Sequence, residues 1–157
     1  MDEVDVYNSA VAELAEKWDA KRPAGCPSLA AVGKGNRGVY AGLPVIIQGM
    51  PCLGVMPVEV TPEPLTNDPE VGEQIEFPLE VYFYVFDMDK EQEANLVLLM
   101  FQTIRNIVKA NKTLSGKLDF WRVTKASFGA MIRQSAEGGG DIAVAGGVVN
   151  IVCWENR

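Results

Sequence analysis

Residues 76–89 read EFPLEVYFYVFDMD, and this stretch predicts a long β-strand. Every odd position from 75 to 85 is apolar: Ile75, Phe77, Leu79, Val81, Phe83 and Val85. Because side chains alternate between the two faces of a strand, this odd face must lie on a core. The even positions begin with Glu76 and Glu80 and then become aromatic: Tyr82, Tyr84 and Phe86. Part of the second face therefore also needs a cover.

Two segments have the apolar spacing of amphipathic helices. Residues 4–20 predict the first helix, and residues 91–110 predict the second. The buried stripe expected on the second helix is Val97, Met100, Phe101, Ile104, Ile107 and Val108. Asp87 or Asp89 is expected to cap this helix, since a carboxylate there accepts bonds from the free amides of the first turn.

Further strands are expected before and after this long strand along the chain. Residues 52–61 predict an edge or interrupted strand, because proline cannot donate to a ladder. Residues 119–133 and 141–155 predict an antiparallel hairpin. The pair Gly146–Gly147 inside the last strand indicates a bulge or a close approach of another backbone.

Residues 21–51 are rich in glycine and proline and predict an insertion or loop region within one domain covering 1–157. Two short strand-like pieces are expected near 29–32 and 44–48, with the loop GKGNRG at 33–38 between them. The fold class that follows is α+β. We expect a mostly antiparallel sheet of four to five strands, two helices packed on one face, and a C-terminal β-hairpin.

Charge is unevenly distributed along the chain, whose net charge is −7. Residues 59–93 hold eleven acidic residues and one base, whereas residues 105–133 hold seven bases and one acid. The bulk charge disfavours tight non-specific binding of nucleic acid, which needs basic surface. Complementary segments of this kind suit docking against another copy or another protein. They are equally compatible with solvated loops and a helix that follows its dipole.

Catalytic chemistry is poorly represented in the sequence. There is no histidine, which removes the commonest general base and zinc ligand. Cys26, Cys52 and Cys153 lack CxxC spacing and are expected to be buried or half-buried free thiols. Lys34 and Arg37 lie in a glycine-rich loop without phosphate-loop spacing, so we treat them as surface contacts of that loop. We expect no catalytic, cofactor or metal site, and we do not expect an enzyme.

The chain is expected to stay in a cytoplasm during synthesis. No apolar run reaches the ~18 residues that span a membrane, and the acidic N-terminus does not look like a secretion signal. A membrane partner is therefore not expected.

Two helices cannot cover both faces of the predicted sheet, which suggests that a second chain covers the aromatic half of the second face. The alternative is that residues 33–51 fold back over that face. The tryptophans are either core packing or anchors between subunits. The residues expected at a subunit interface are Tyr82, Tyr84, Phe86, Arg105, Lys109, Trp121, Arg122, Lys125 and Trp154.

The order of elements resembles that of the tail terminator, or tail-completion, proteins of long-tailed bacteriophages. The resemblance is carried by the opening helix (4–20), MPCLGVMPVEVTPE (50–63), the strand and helix of residues 74–110, and the hairpin ending AVAGGVVNIVCWE (143–155). It covers most of the chain as a pattern and includes no catalytic motif. The 21–49 stretch is longer and richer in glycine and proline than in the simplest members.

The resemblance implies a structural virion protein that forms a ring, typically of six subunits. Such a ring caps the tail tube, ends its polymerisation, and offers a docking surface to the head connector or neck protein, while DNA passes through the lumen. Its location is the tail or neck of the virion, and the host cytoplasm during assembly. Two alternatives remain open: another head–tail joining protein of a phage neck, and a non-enzymatic bacterial α+β binding module.

Overall fold

The computed structural model describes residues 2–64, 72–135 and 141–156, without the side chains of 64, 130–135 and 141–143. It contains two α-helices, α1 (Glu3–Lys21) and α2 (Lys90–Ala110), and a 3₁₀ turn at Lys34–Asn36. The strands are β1 (Val39–Ala41), β2 (Ile46–Ile47), β3 (Cys52–Pro57), β4 (Thr61–Pro64), β5 (Glu73–Val85), β6 (Phe120–Ser135) and β7 (Asp141–Asn156).

All seven strands belong to one sheet with the order β1–β3–β5–β7–β6–β2, and β4 pairs with β5 on the same side as β3. Four of the six strand pairings are antiparallel, while β1 with β3 and β2 with β6 are parallel. The α+β class and the C-terminal hairpin are confirmed. The strands beyond the expected four to five are the short β1 and β4, whereas β2 lies within the strand piece expected near 44–48.

The first face of the sheet carries the main core. All six odd residues of β5 from Ile75 to Val85 are at most 3% exposed. Five of them pack in one cluster with the apolar stripes of α1 and α2, so both helices cover this face. The side chain of Asp89 caps α2 by accepting from the amides of Glu91 and Gln92, as the sequence predicts.

The second face is covered at one end by the chain itself. Tyr84 is 0% exposed and packs in a second cluster with Val32, Ile47, Cys52 and Val144. The expectation that another chain covers Tyr84 is therefore wrong, and the alternative of a fold-back by the glycine-rich region is correct. The apolar residues of that region are scattered between turns, so their spacing does not show which face they cover, yet they reach the sheet together.

The fold-back differs in detail from the strand pieces expected from sequence. No strand forms at 29–32, where the chain is held by single backbone bonds such as Ala30 to Pro51 (2.8 Å). The first strand forms after the 33–38 loop instead. Gly38 permits this turn, because its φ is +83° and an added Cβ would lie 2.2 Å from the Cβ of Leu29.

A close approach of neighbouring strands surrounds Gly147 in β7. A Cβ at this position would lie 2.6 Å from the carbonyl oxygen of Ser127 and 2.9 Å from the rings of Phe128 and Phe83. The prediction of a close backbone approach is confirmed, whereas the bulge lies in β6, between Val123 and Lys125.

The three cysteines are free and buried, as expected. Burial raises the pKa of Cys52 and of Cys153 to about 12, and it also raises the pKa of Cys26. These thiols are therefore kept neutral and act as apolar core residues.

Candidate interaction surface

A groove of about 660 Å³ runs between the C-terminal half of α2 and the first half of β6. The cationic side chains that line it, here called the basic groove, are Arg105, Lys109, Lys112, Arg122 and Lys125. The helix and the strand are joined by only nine residues, so two basic stretches that look separate in sequence meet across the groove. Four of these five residues were expected at an interface from sequence, and the structure brings them together.

The floor of the basic groove is apolar, and two of its five cations lie over aromatic rings. The guanidinium of Arg105 lies 5.3 Å from the ring centre of Phe101, and that of Arg122 lies 5.5 Å from the ring centre of Phe120. Within the described ranges, no acid forms an ion pair with any cation of the groove. The groove therefore presents uncompensated positive charge around an apolar centre.

An acidic surface lies at and beside the opposite edge of the sheet, where β4 pairs with β5. It consists of Glu59, Glu63 and Glu76, here called the acidic edge, all of which are exposed. In the part of the chain that the structure covers, none of these three carboxylates has a cationic partner.

Strand register places the two surfaces at the same level along the strands. Thr61 of β4 lies opposite Glu76, Glu76 lies opposite Trp154, and Trp154 lies opposite Phe120. Three strand spacings separate β4 from β6, so the edges are roughly 14 Å apart. A copy placed beside the molecule without inversion would bring an acidic edge to a basic groove.

Part of the acidic segment instead serves local structure. Glu93 is 9% exposed, accepts from the amide of Asp87 (3.0 Å) and pairs with Lys90 (3.2 Å). The carboxylate of Asp87 accepts from the amide of Asp89 (2.8 Å). The charge contrast seen in the sequence therefore overstates the acidic surface that is free for a partner.

Two expected interface residues are almost wholly buried in this fold. Tyr84 is fully buried, as described above, and Trp121 is 2% exposed in the main core. The indole of Trp121 donates to the carbonyl of Asn111, which ties β6 to the end of α2. Trp121 also lines the basic groove, but its burial leaves little of its surface for a partner.

The other aromatic candidates remain on the surface. Tyr82 is half-buried and donates to Glu80, and Phe86 is 47% exposed with the ammonium of Lys90 5.1 Å from its ring centre. Trp154 is half-buried and stacks on Phe120, with ring centres 5.0 Å apart. Of these, only Trp154 borders the basic groove, through its contact with Phe120.

The loop candidates lie away from the groove. Arg37 pairs with Glu16 of α1 at 2.6 Å, which explains its role without a partner protein. Lys34 is exposed in the 3₁₀ turn. Sequence reasoning missed Lys112, Phe101 and Phe120 as groove residues. The continuation of the basic run beyond α2 was the available signal for Lys112.

The described residues contain no group of three histidine, cysteine, aspartate or glutamate side chains arranged to hold a metal. None of the described helices is long and apolar enough to span a membrane. The basic groove and the acidic edge are thus the candidate functional surfaces in this part of the chain. No family model matches the chain, and no curated protein shows significant similarity to it.

Proposed function

We propose that the protein is a tail terminator of a long-tailed bacteriophage. Its copies associate head to tail into a ring, six-membered as the resemblance implies. The ring caps the tail tube, ends tube growth and receives the head connector or neck protein. The observation that carries the proposal is the pair of oppositely charged surfaces on opposite edges of one sheet, at the same level along the strands.

This arrangement favours a heterologous contact over a two-fold contact. In a heterologous contact the acidic edge of one copy meets the basic groove of the next, and repetition closes a ring when the rotation allows. The rings of Phe101 and Phe120 supply an apolar centre, and association would exclude water from it. The long-range charges orient the approaching subunits.

The covered part of the second face of the sheet is not available for the contact between copies. Because residues 30–50 shelter Tyr84, the contact depends on the groove and not on an open aromatic sheet. Since exposed charges are screened over about 8 Å at physiological salt, assembly should weaken as salt is raised.

The remaining parts of the proposal follow from the same contact. The net charge of −7 disfavours tight binding of phosphates, so DNA is proposed to slide through the lumen without sequence-specific contacts. The proposed partners are other copies, the tail tube protein and a head connector or neck protein. We propose no enzymatic activity, and a location in the virion tail or neck.

The test is a double charge reversal in the groove, Arg122→Glu with Lys125→Glu, observed by negative-stain microscopy with and without tail tubes. We expect this variant to lose rings and tube capping. The matched control is Lys17→Glu with Lys21→Glu on exposed positions of α1, which changes the net charge equally and should keep both. Unchanged ring formation by the groove variant at low salt would contradict the docking scheme.

The same images separate the alternatives. Rings of the unaltered protein that bind a portal but leave tubes uncapped would indicate a neck protein. A protein that remains single at all concentrations would indicate a binding module.

A further inference from the structure

An open apolar pocket, here called the end pocket, lies at the end of the sheet where β5 leads into α2. Its volume is about 270 Å³, and its lining includes Pro27, Met50, Phe86 and Leu96. Phe86 is 47% exposed, and Met88, two residues further along the chain, is 87% exposed. Exposed apolar residues grouped in this way commonly mark a contact surface for another protein.

The chain beside the end pocket carries net negative charge. Three acidic residues follow Phe86 within five positions: Asp87, Asp89 and Glu91. Lys90 is the one base among these positions, and its ammonium lies 3.2 Å from the carboxylate of Glu93. The positive end of α2, which Asp89 caps, offsets part of the acidic charge. The remainder attracts a partner that carries basic side chains.

The opposite end of the sheet is polar by comparison. The turn that joins α2 to β6 lies there, because β6 begins opposite Trp154 near the end of β7. The side chains exposed in this turn include those of Lys112, Thr113, Ser115, Lys117 and Asp119. The start of α1 lies at the same end, since Lys117 pairs with Asp5 at 2.5 Å. The two ends of the molecule therefore offer different chemistry to a partner.

The end pocket is separate from the surfaces that join the copies. The acidic edge and the basic groove share the level of Glu76 and Phe120, and Val85 beside the pocket lies nine residues beyond Glu76 along β5. At 3.3 Å per residue, this separation is about 30 Å. The pocket opens beside the chain that follows α1, whereas the groove opens beside β6. Because copies in a head-to-tail ring are related by rotation alone, all end pockets face the same side of the ring.

We propose that the end pocket docks the end of the tail tube, by receiving an apolar side chain from a basic segment of the last tube subunit. This inference rests on the proposed terminator ring and names the surface with which that ring caps the tube. It places the strands along the ring axis and leaves the polar end for the head connector. The pocket is assigned to the tube because a cap has to hold the tube end against further subunit addition. Burial of apolar surface stabilises such a contact even where salt screens the charges.

Substitution of an exposed pocket residue tests the docking. Phe86→Ser removes one wall of the pocket, and the matched control Val4→Ser removes a 70% exposed apolar side chain at the polar end. Ring formation is measured by analytical ultracentrifugation, and capped tube ends are counted by negative-stain microscopy over a range of ring concentrations. We expect both variants to form rings as the unaltered protein does. The Phe86→Ser rings should need at least about tenfold higher concentration to cap half of the tube ends, and the control rings should not.

Two further variants examine the rest of the surface. Met88→Ser replaces a side chain that is 87% exposed, so it tests the docking even if Phe86→Ser does not fold. Glu91→Lys reverses one of the acidic charges beside the pocket and tests the basic character of the partner. Both should weaken capping without loss of rings.

The outcomes separate this inference from the proposed function. Equal capping by the Phe86→Ser, Met88→Ser and Val4→Ser rings would overturn the docking site and leave the terminator function standing. Pocket variants that cap tubes normally but no longer bind a portal or connector would assign the end pocket to that partner and overturn docking of the tube. Failure of the unaltered protein to form rings that cap tubes would overturn both proposals.

Discussion

Replacing Gly147 by alanine tests the close approach at the centre of the sheet. The added Cβ would meet the carbonyl oxygen of Ser127 at 2.6 Å and ring atoms of Phe128 and Phe83 at 2.9 Å. Because β7 is held between β5 and β6 along its length, its backbone has little room to move. Overpacking of this kind costs about 1–3 kcal/mol, and at about 2–4 °C per kcal/mol the melting temperature should fall by roughly 2–12 °C.

Gly129→Ala is the matched control, since a Cβ there has no neighbour within 4 Å. Removing the backbone freedom of glycine from the unfolded chain should leave this variant unchanged or more stable by up to about 1 kcal/mol. Both variants are measured by thermal and by urea unfolding in the Glu59→Lys, Glu63→Lys background, so that association does not contribute. Equal stability of the two variants would refute the packing described around Gly147.

Three further predictions concern burial and capping. Tyr84→Ala should lower the free energy of unfolding by about 3–5 kcal/mol, and Phe86→Ala by less than about 1 kcal/mol, in urea titrations; similar losses would contradict the covered second face. The pKa of about 12 for Cys52 and Cys153 exceeds the ordinary value of 9.0, so their unfolded thiols ionise first. The contribution of the neutral thiols to the free energy of unfolding should be fully present below pH 9 and should decline as the pH rises from 9 towards 12. Equal free energies of unfolding in urea titrations at pH 8 and pH 10.5 would contradict this expectation. Asp89→Ala should lower the free energy of unfolding by about 1 kcal/mol, because the cap of α2 is lost. Thermal unfolding measures this change, and unchanged stability would contradict the cap.

The regular elements were predictable from sequence because their burial is periodic. The odd residues of β5 and the stripe of α2 have spacings that only a strand and a helix can place on one side. The hairpin of β6 and β7 follows from two long apolar runs separated by a glycine-rich turn. Local signals were sufficient for these elements.

The fold-back over Tyr84 was not predictable in the same way. Its apolar residues, such as Val32 and Ile47, lie far apart between turns and meet only through the tertiary structure. The sequence therefore identifies a face that needs a cover without identifying the cover. The same limit explains the misplaced first strand, whose pairing with β3 depends on long-range contacts.

The basic groove was predictable in part. The excess of basic residues at 105–133 identified Arg105, Lys109, Arg122 and Lys125. These residues meet in the structure because only nine residues join the helix and the strand that carry them. Trp121 was misassigned, since composition does not show which side of β6 faces the helices. Both Trp121 and its neighbour Phe120 line the groove, but Trp121 is buried and Phe120 is half-buried.

The central claim is that oppositely charged edges join copies head to tail. Mixing the acidic-edge reversal, Glu59→Lys with Glu63→Lys, and the groove reversal, Arg122→Glu with Lys125→Glu, tests it most directly by analytical ultracentrifugation. Each variant alone should sediment as a monomer, because two copies of the same variant bring like charges together at the reversed positions. The equimolar mixture should form rings in which the two variants alternate. A mixture that stays monomeric, or that stops at dimers, would contradict the claim.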